Sequence, residues 1–312
     1  MSTFLIALSA VAILLLQAAP GFVFVKEKML GEESAASLSK ILLYLCQPCL
    51  AVYTFSSTEF SAEKLADIGL FSLVTLVING VMLGGAVLIL RRKFADTSYR
   101  VLTLAMAFSN CAFFGIPIIE ALLPEAAPGL IVYTTIYATI MNILGWAIGI
   151  AIITGDVRNI SAKKILINPA MLGIALGLPL FIFSIELPAL LLDAISLIGK
   201  MTTPVSMLIM GMRLATTNLK SVFTSVKAYV AVAVKTILMP LLAFAVVYFI
   251  PLPVDVKKTF FIVCACPTAS VVLNFSELCG AGQREAAASV LLSTILSIAT
   301  LPTMVLMLSL LG

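Results

Sequence analysis

Ser109-Asn110-Cys111-Ala112-Phe113-Phe114-Gly115-Ile116-Pro117 places an amide, a glycine and a proline inside one hydrophobic run. A second such stretch lies in the other half of the chain: Cys264-Ala265-Cys266-Pro267-Thr268-Ala269-Ser270, followed by Asn274. Both runs are long and apolar enough to span a bilayer. Proline removes a backbone N–H and clashes with the preceding turn of a helix. At membrane depth the freed backbone groups are tolerated only where protein or a polar cavity receives them. Two broken helices at corresponding places in the two halves of a chain point to a transport site.

Composition agrees. Of 312 residues, 62% are hydrophobic and 11% are charged, and the mean hydropathy is +1.17. A soluble domain is nearer one half apolar and one quarter charged, so this chain reads as a polytopic membrane protein with no soluble domain. The apolar N-terminus has no basic residue before its run and no clear cleavage site, and reads as a first span, not a signal peptide. There is no histidine, which excludes a His-based metal site or proton relay. The six cysteines, including Cys46-Gln47-Pro48-Cys49, read as small buried thiols. No cofactor, metal or nucleic-acid partner is expected.

A helix needs about 20 mostly apolar residues to cross the bilayer core. Ten such runs are expected, at 3–25, 35–56, 65–90, 98–123, 128–154, 168–186, 189–212, 225–250, 256–279 and 284–311. Loops after odd-numbered spans hold thirteen Lys and Arg, Lys163, Lys164 and Arg213 among them; loops after even-numbered spans hold only Lys64, Lys257 and Lys258. The odd loops therefore face the cytoplasm and both termini lie outside. Spans one to five and six to ten then run in opposite senses, as in an inverted repeat. Prolines fall in register: Pro48 in the second span with Pro204 in the seventh, Pro117 in the fourth with Pro267 in the ninth. The expected organisation is a first five-helix repeat at 1–154, a cytoplasmic linker at 155–167 and a second, inverted repeat at 168–312.

In the fourth span, Gly115 would allow unusual dihedrals and Pro117 would open a second half-helix. In the ninth, Pro267 would do the same, with Thr268 beside it. The free N–H groups and positive dipole ends of both half-helices would converge on an anion. Asn110, Asn142 and Asn274 are the amides nearest that point. Lys235 stands alone in the eighth span, five residues before Pro240. A buried charge there is costly, which makes it a residue for charge compensation or ion coupling. Gly80–Gly84, Gly145–Gly149 and Gly173–Gly177 fit the G-x-x-x-G pattern of close helix packing.

The stretch Ser109 to Pro117 resembles the S-N-x-x-F-x-G-I-P signature of the auxin efflux carrier family, which includes plant PIN-like carriers and bacterial malate and malonate permeases. Lys235-Thr236-Ile237-Leu238-Met239-Pro240-Leu241-Leu242 is similar to that family's K-L-x-x-x-P-L-L run. The resemblance implies an all-α fold of ten transmembrane helices in two inverted five-helix repeats, with broken helices 4 and 9 crossing. It also implies a scaffold and a transport domain, elevator-type alternating access, carboxylate transport and a homodimer. Asn274 and Glu277 depart from the pattern, where such carriers are more apolar.

The expected function is thus secondary transport of small organic anions in a bacterial cytoplasmic membrane. Asn110, Gly115, Pro117, Pro267, Thr268 and Asn274 would form the substrate site, with Lys235 compensating or coupling charge. A sodium-coupled bile-acid-type symporter is the nearest rival, but it needs clustered oxygens where Gln47, Asn110, Asn274 and Glu277 read as scattered. A non-transporting membrane sensor is a rival of another class. An intramembrane enzyme lacks a nucleophile–base pair or metal set.

Overall fold

The computed structural model describes residues 2–31, 33–159 and 168–311. The linker residues 160–167, with Lys163 and Lys164, lie outside the described residues. Ten helical segments follow in order: α1 (Thr3–Lys26), α2 (Ser34–Ser56), α3 (Ala62–Lys93), α4a (Thr97–Ala107) with α4b (Cys111–Leu122), α5 (Ala127–Thr154), α6 (Pro169–Ile182), α7 (Ala189–Thr216), α8 (Val226–Tyr248), α9a (Val254–Ala265) with α9b (Val271–Cys279), and α10 (Gln283–Leu310). Helix occupies each of the ten expected runs, with a further short helix at Leu219–Phe223; among the described residues seven helices are long and apolar enough to cross a membrane, while the sixth is shorter and the fourth and ninth break into half-helices.

The helix ends follow from their sequence. Ser2, Ser61, Asp96, Asn168 and Ser225 each accept a bond from a first-turn N–H of α1, α3, α4a, α6 and α8, satisfying donors the helix leaves free. Gly155 and Gly280 stop α5 and α9b with φ of +71° and +62°, a conformation glycine adopts without steric cost.

The prolines act in an unexpected way. Of four five-residue π turns among the described residues, Leu42–Cys46, Cys111–Gly115 and Val234–Leu238 each end two residues before a proline, Pro48, Pro117 and Pro240, while Gly145–Gly149 precedes none. Widening the turn relieves the crowding a proline imposes on the preceding carbonyls. Gly115 and Pro117 therefore do not form the break in α4. Gly115 is helical, at φ −69° and ψ −40°, not in the unusual conformation expected of it. The chain leaves helical geometry earlier, at Phe108 and Asn110 (ψ 123° and 57°). Pro267 lies inside the break of α9 and does not open the next half-helix, which starts at Val271.

The two halves pack alike. α1 lies on α7 as α6 lies on α2; α3 meets α4a as α8 meets α9a; and α3 meets α5 as α8 meets α10. α1 also packs on α10 and on α4b. The α1–α7 crossing brings backbones into contact. A methyl on Gly21 would run into the Leu208 carbonyl oxygen, and one on Gly211 into that of Ala18. Gly173 and Gly177 do the same work between α6 and α2, and Gly145 admits the Phe275 ring. Gly80 and Gly84, by contrast, face no neighbouring atom within 4 Å. They share the outer face of α3 with exposed Leu73, Leu76, Val77 and Val81.

Candidate functional site

The broken ends of α4 and α9 meet at an antiparallel bridge between Ser109 and Thr268. The Asn110 N–H donates to the Pro267 carbonyl (2.8 Å), and the Ala269 N–H donates to the Phe108 carbonyl (2.9 Å). Each break thus supplies the partner for the other's unravelled backbone, which a buried peptide group requires. Pro267 can take part because it only accepts. The Thr268 hydroxyl donates to the Ala105 carbonyl at the end of α4a (3.1 Å), and its N–H donates to the Ser293 hydroxyl on α10 (3.0 Å).

Lys235 is fully buried on α8. Its ammonium donates to the Cys264 carbonyl (2.7 Å) and the Cys266 carbonyl (2.8 Å), at the end of α9a. The cation meets the negative end of a helix dipole, and each of its bonds is charge-assisted. Cys264 also faces the Tyr137 hydroxyl through its sulfur, at 3.6 Å, and that hydroxyl lies 3.4 Å from the Asn79 amide oxygen. Gly115 is a packing residue here: a methyl at this position would lie 3.3 Å from the Cys266 sulfur.

Asn110, only 3% exposed, has no hydrogen-bond partner for its side-chain nitrogen among the described residues. It lines a cavity of about 20 Å³ with Gln47, Asn142 and Asn274. These amides come from α2, α4, α5 and α9, so residues that read as scattered are gathered at one point. The space holds about one water molecule. Asn142 is partly committed, donating to the Ala138 carbonyl at 2.8 Å. Neither Asn110 nor Ser270 caps the half-helix that follows it.

Two larger cavities flank the crossing. One of about 640 Å³ is walled by α1, α2 and α7 against α4b and α5, and includes Pro117, Glu120, Lys200 and Pro204. The other, of about 660 Å³, is lined by Arg213, Glu277, Gln283 and Arg284. The expected site residues therefore divide. Asn110 and Asn274 face the small cavity, Pro117 faces the first large one, and Gly115, Pro267, Thr268 and Lys235 hold the crossing together. Glu277 lines the second large cavity and not the small one.

A sequence model of a membrane transport protein family matches residues 6–162 and, a second time, residues 153–305. The chain belongs to the auxin efflux carrier family of membrane transport proteins. No curated protein matches it. The double match agrees with a fold of two similar five-helix halves, and membership makes the chain an integral membrane transporter. Within this auxin-carrier fold, the sequence reading overlooked Arg213. It counts as a loop charge by position, yet its side chain is only 12% exposed in the last turn of α7. It donates to the Asn274 amide oxygen at 2.9 Å and pairs with Glu277 at 3.2 Å. The signal was available in Asn274 and Glu277, three residues apart and so on one face of a helix.

Proposed function

We propose that the protein carries small organic anions, carboxylates such as malate, malonate or auxin-like acids, across a bacterial cytoplasmic membrane, with the substrate bound at the α4–α9 crossing. The observation that carries this reading is the unpartnered Asn110 amide, aimed into the small cavity between two half-helix starts that no side chain caps. Amide donors and helix N-termini bind carboxylates without a full positive charge. Because the cavity admits only about one water, substrate entry requires movement. The group of α3, α4, α5, α8, α9 and α10 would slide as a transport domain against α1, α2, α6 and α7, an elevator-type alternation between the two large cavities. The basic loops would face the cytoplasm, with both termini outside. A homodimer would form through the scaffold group.

The gathering of Gln47, Asn110, Asn142 and Asn274 favours a second reading, a sodium-coupled symporter, since amide oxygens ligate hard cations. Solid-supported-membrane electrophysiology on proteoliposomes separates the two. Sodium-independent currents that differ among mono- and dicarboxylates support the anion carrier. Currents that require sodium support the symporter. The absence of both current and carboxylate binding would contradict the transport reading.

A further inference from the structure

Arg213 occupies the wall between the open 660 Å³ cavity and the crossing. It lines that cavity, and also a narrow space of about 20 Å³ shared with Phe113, Ser270 and Asn274. Phe113, Ser270 and Asn274 in turn line the Asn110 cavity. The guanidinium thus lies between the open cavity and the Asn110 cavity.

The contact it makes is half of a substrate-recognition geometry. Nη2 donates to Glu277 Oε2 at 3.3 Å. Nη1 lies 3.2 Å from Oε1 as an ion pair but, buried, makes no hydrogen bond among the described residues. A better-placed carboxylate would complete the two-point fork by which arginine recognises that group. Asn274 accepts from Nη2 at 2.9 Å and fixes the fork from behind. The partners are unequally buried. The guanidinium is 12% exposed and the Glu277 carboxylate 48%. Glu277 can swing into water at small cost, whereas a buried guanidinium left alone carries a large desolvation penalty. Another carboxylate arriving from the open cavity would meet that need. Arg284 lines the same cavity, so its lining carries two guanidinium groups against one carboxylate.

We propose that Arg213 is a second anion-binding residue, distinct from the crossing, and that Glu277 is a built-in stand-in for the substrate carboxylate. A carboxylate-bearing organic anion displaces Glu277 from the fork, loosening the tie between α7 and α9b, and then passes to Asn110. The passage to Asn110 rests on the anion-carrier reading; binding at the fork does not.

The single tryptophan, Trp146, reports on this place. Its ring packs edge-on against Phe275, neighbour of Asn274, with centroids 5.3 Å apart. The experiment titrates the detergent-purified full-length protein with malonate and with acetate, following Trp146 fluorescence, beside malonate currents from proteoliposomes. Wild type should give a saturable malonate signal. Arg213→Gln should weaken binding about tenfold or more, since a fork of charge-assisted bonds is lost. Arg213→Lys should fall between the two. Glu277→Gln should tighten binding several-fold, because removing an internal competitor raises the fraction of protein able to bind. Asn110→Ala should lose current but keep the titration. A Trp146 signal unmoved by saturating malonate, or malonate binding equally strong in wild type and Arg213→Gln, overturns the proposal even where currents are intact. A titration in wild type with neither currents nor uptake of labelled malonate into the liposomes leaves the Arg213 site standing and overturns the carrier reading instead.

Discussion

The half-helices α4a and α9a end at the same crossing, and their last carbonyls are served by different chemistry. The end of α4a is met by neutral donors, the Thr268 hydroxyl on Ala105 and the Ala269 N–H on Phe108. The end of α9a is met by an ammonium, Lys235 on Cys264 and Cys266, and by the Asn110 N–H on Pro267. At the ends of α4a and α9a themselves, two halves that pack alike are served by one ammonium, that of Lys235. The repeat supplies the crossing, while its polarity comes from a residue that only one half contains. A charge at this place raises the stakes of both stability and transport, since burying it without partners would cost several kcal/mol.

The comparison breaks most severely at Lys235. Lys235→Leu leaves two buried carbonyls unpaired, each costing about 1–3 kcal/mol. Thermal unfolding of the purified protein should show the largest loss here, and transport should fall with it. A variant as stable as wild type would show that α9a does not need its cation. Thr268→Val tests the neutral side. It removes one bond to Ala105 and should cost about 1–2 kcal/mol, clearly less than Lys235→Leu. Equal losses in the two variants would erase the distinction between the breaks.

A pair outside both breaks sets the baseline. Lys227 and Asp96 lie 2.7 Å apart at half-exposed positions, so Asp96→Asn should cost less than about 1 kcal/mol. The bond from Lys227, then that from the Ser98 N–H and hydroxyl, holds the Asp96 carboxyl down at about 2. Its folded value is depressed, so its contribution is complete above the ordinary carboxylate range and disappears only as pH falls through about 2. Melting of Asp96→Asn and wild type should differ by the same small amount at pH 5 and pH 7. A difference that vanishes at pH 5 would place the carboxyl above the ordinary range instead of below it.

Much of this was legible beforehand. Ten apolar runs, with the fourth and ninth as the interrupted pair, could be read in the sequence, because a bilayer permits few alternatives. Asn110, Asn274 and Lys235 stood out as polar groups in apolar surroundings. The position of the breaks was misplaced, since Pro117 is absorbed by a π turn while the backbone opens at Phe108–Asn110. Gly21 and Gly211 carry no spacing signal, because their contact joins distant helices, whereas Gly80–Gly84 has the spacing and packs on nothing within the chain. Arg213 was hidden by its position: a cation at a helix end satisfies loop-charge statistics wherever its side chain points.

The central claim is that Asn110 serves a ligand and not the fold. Its side-chain nitrogen makes no bond among the described residues, so Asn110→Ala removes a buried, unpaired amide. The decisive measurement is the carboxylate-evoked current of Asn110→Ala against wild type in liposomes of equal protein content, with melting temperatures taken alongside. The expected result is a current lowered about tenfold or more, for the loss of one buried ligand bond, with a melting temperature unchanged or raised. Full current in the variant, or a fall in current matched by a fall in stability, would contradict it.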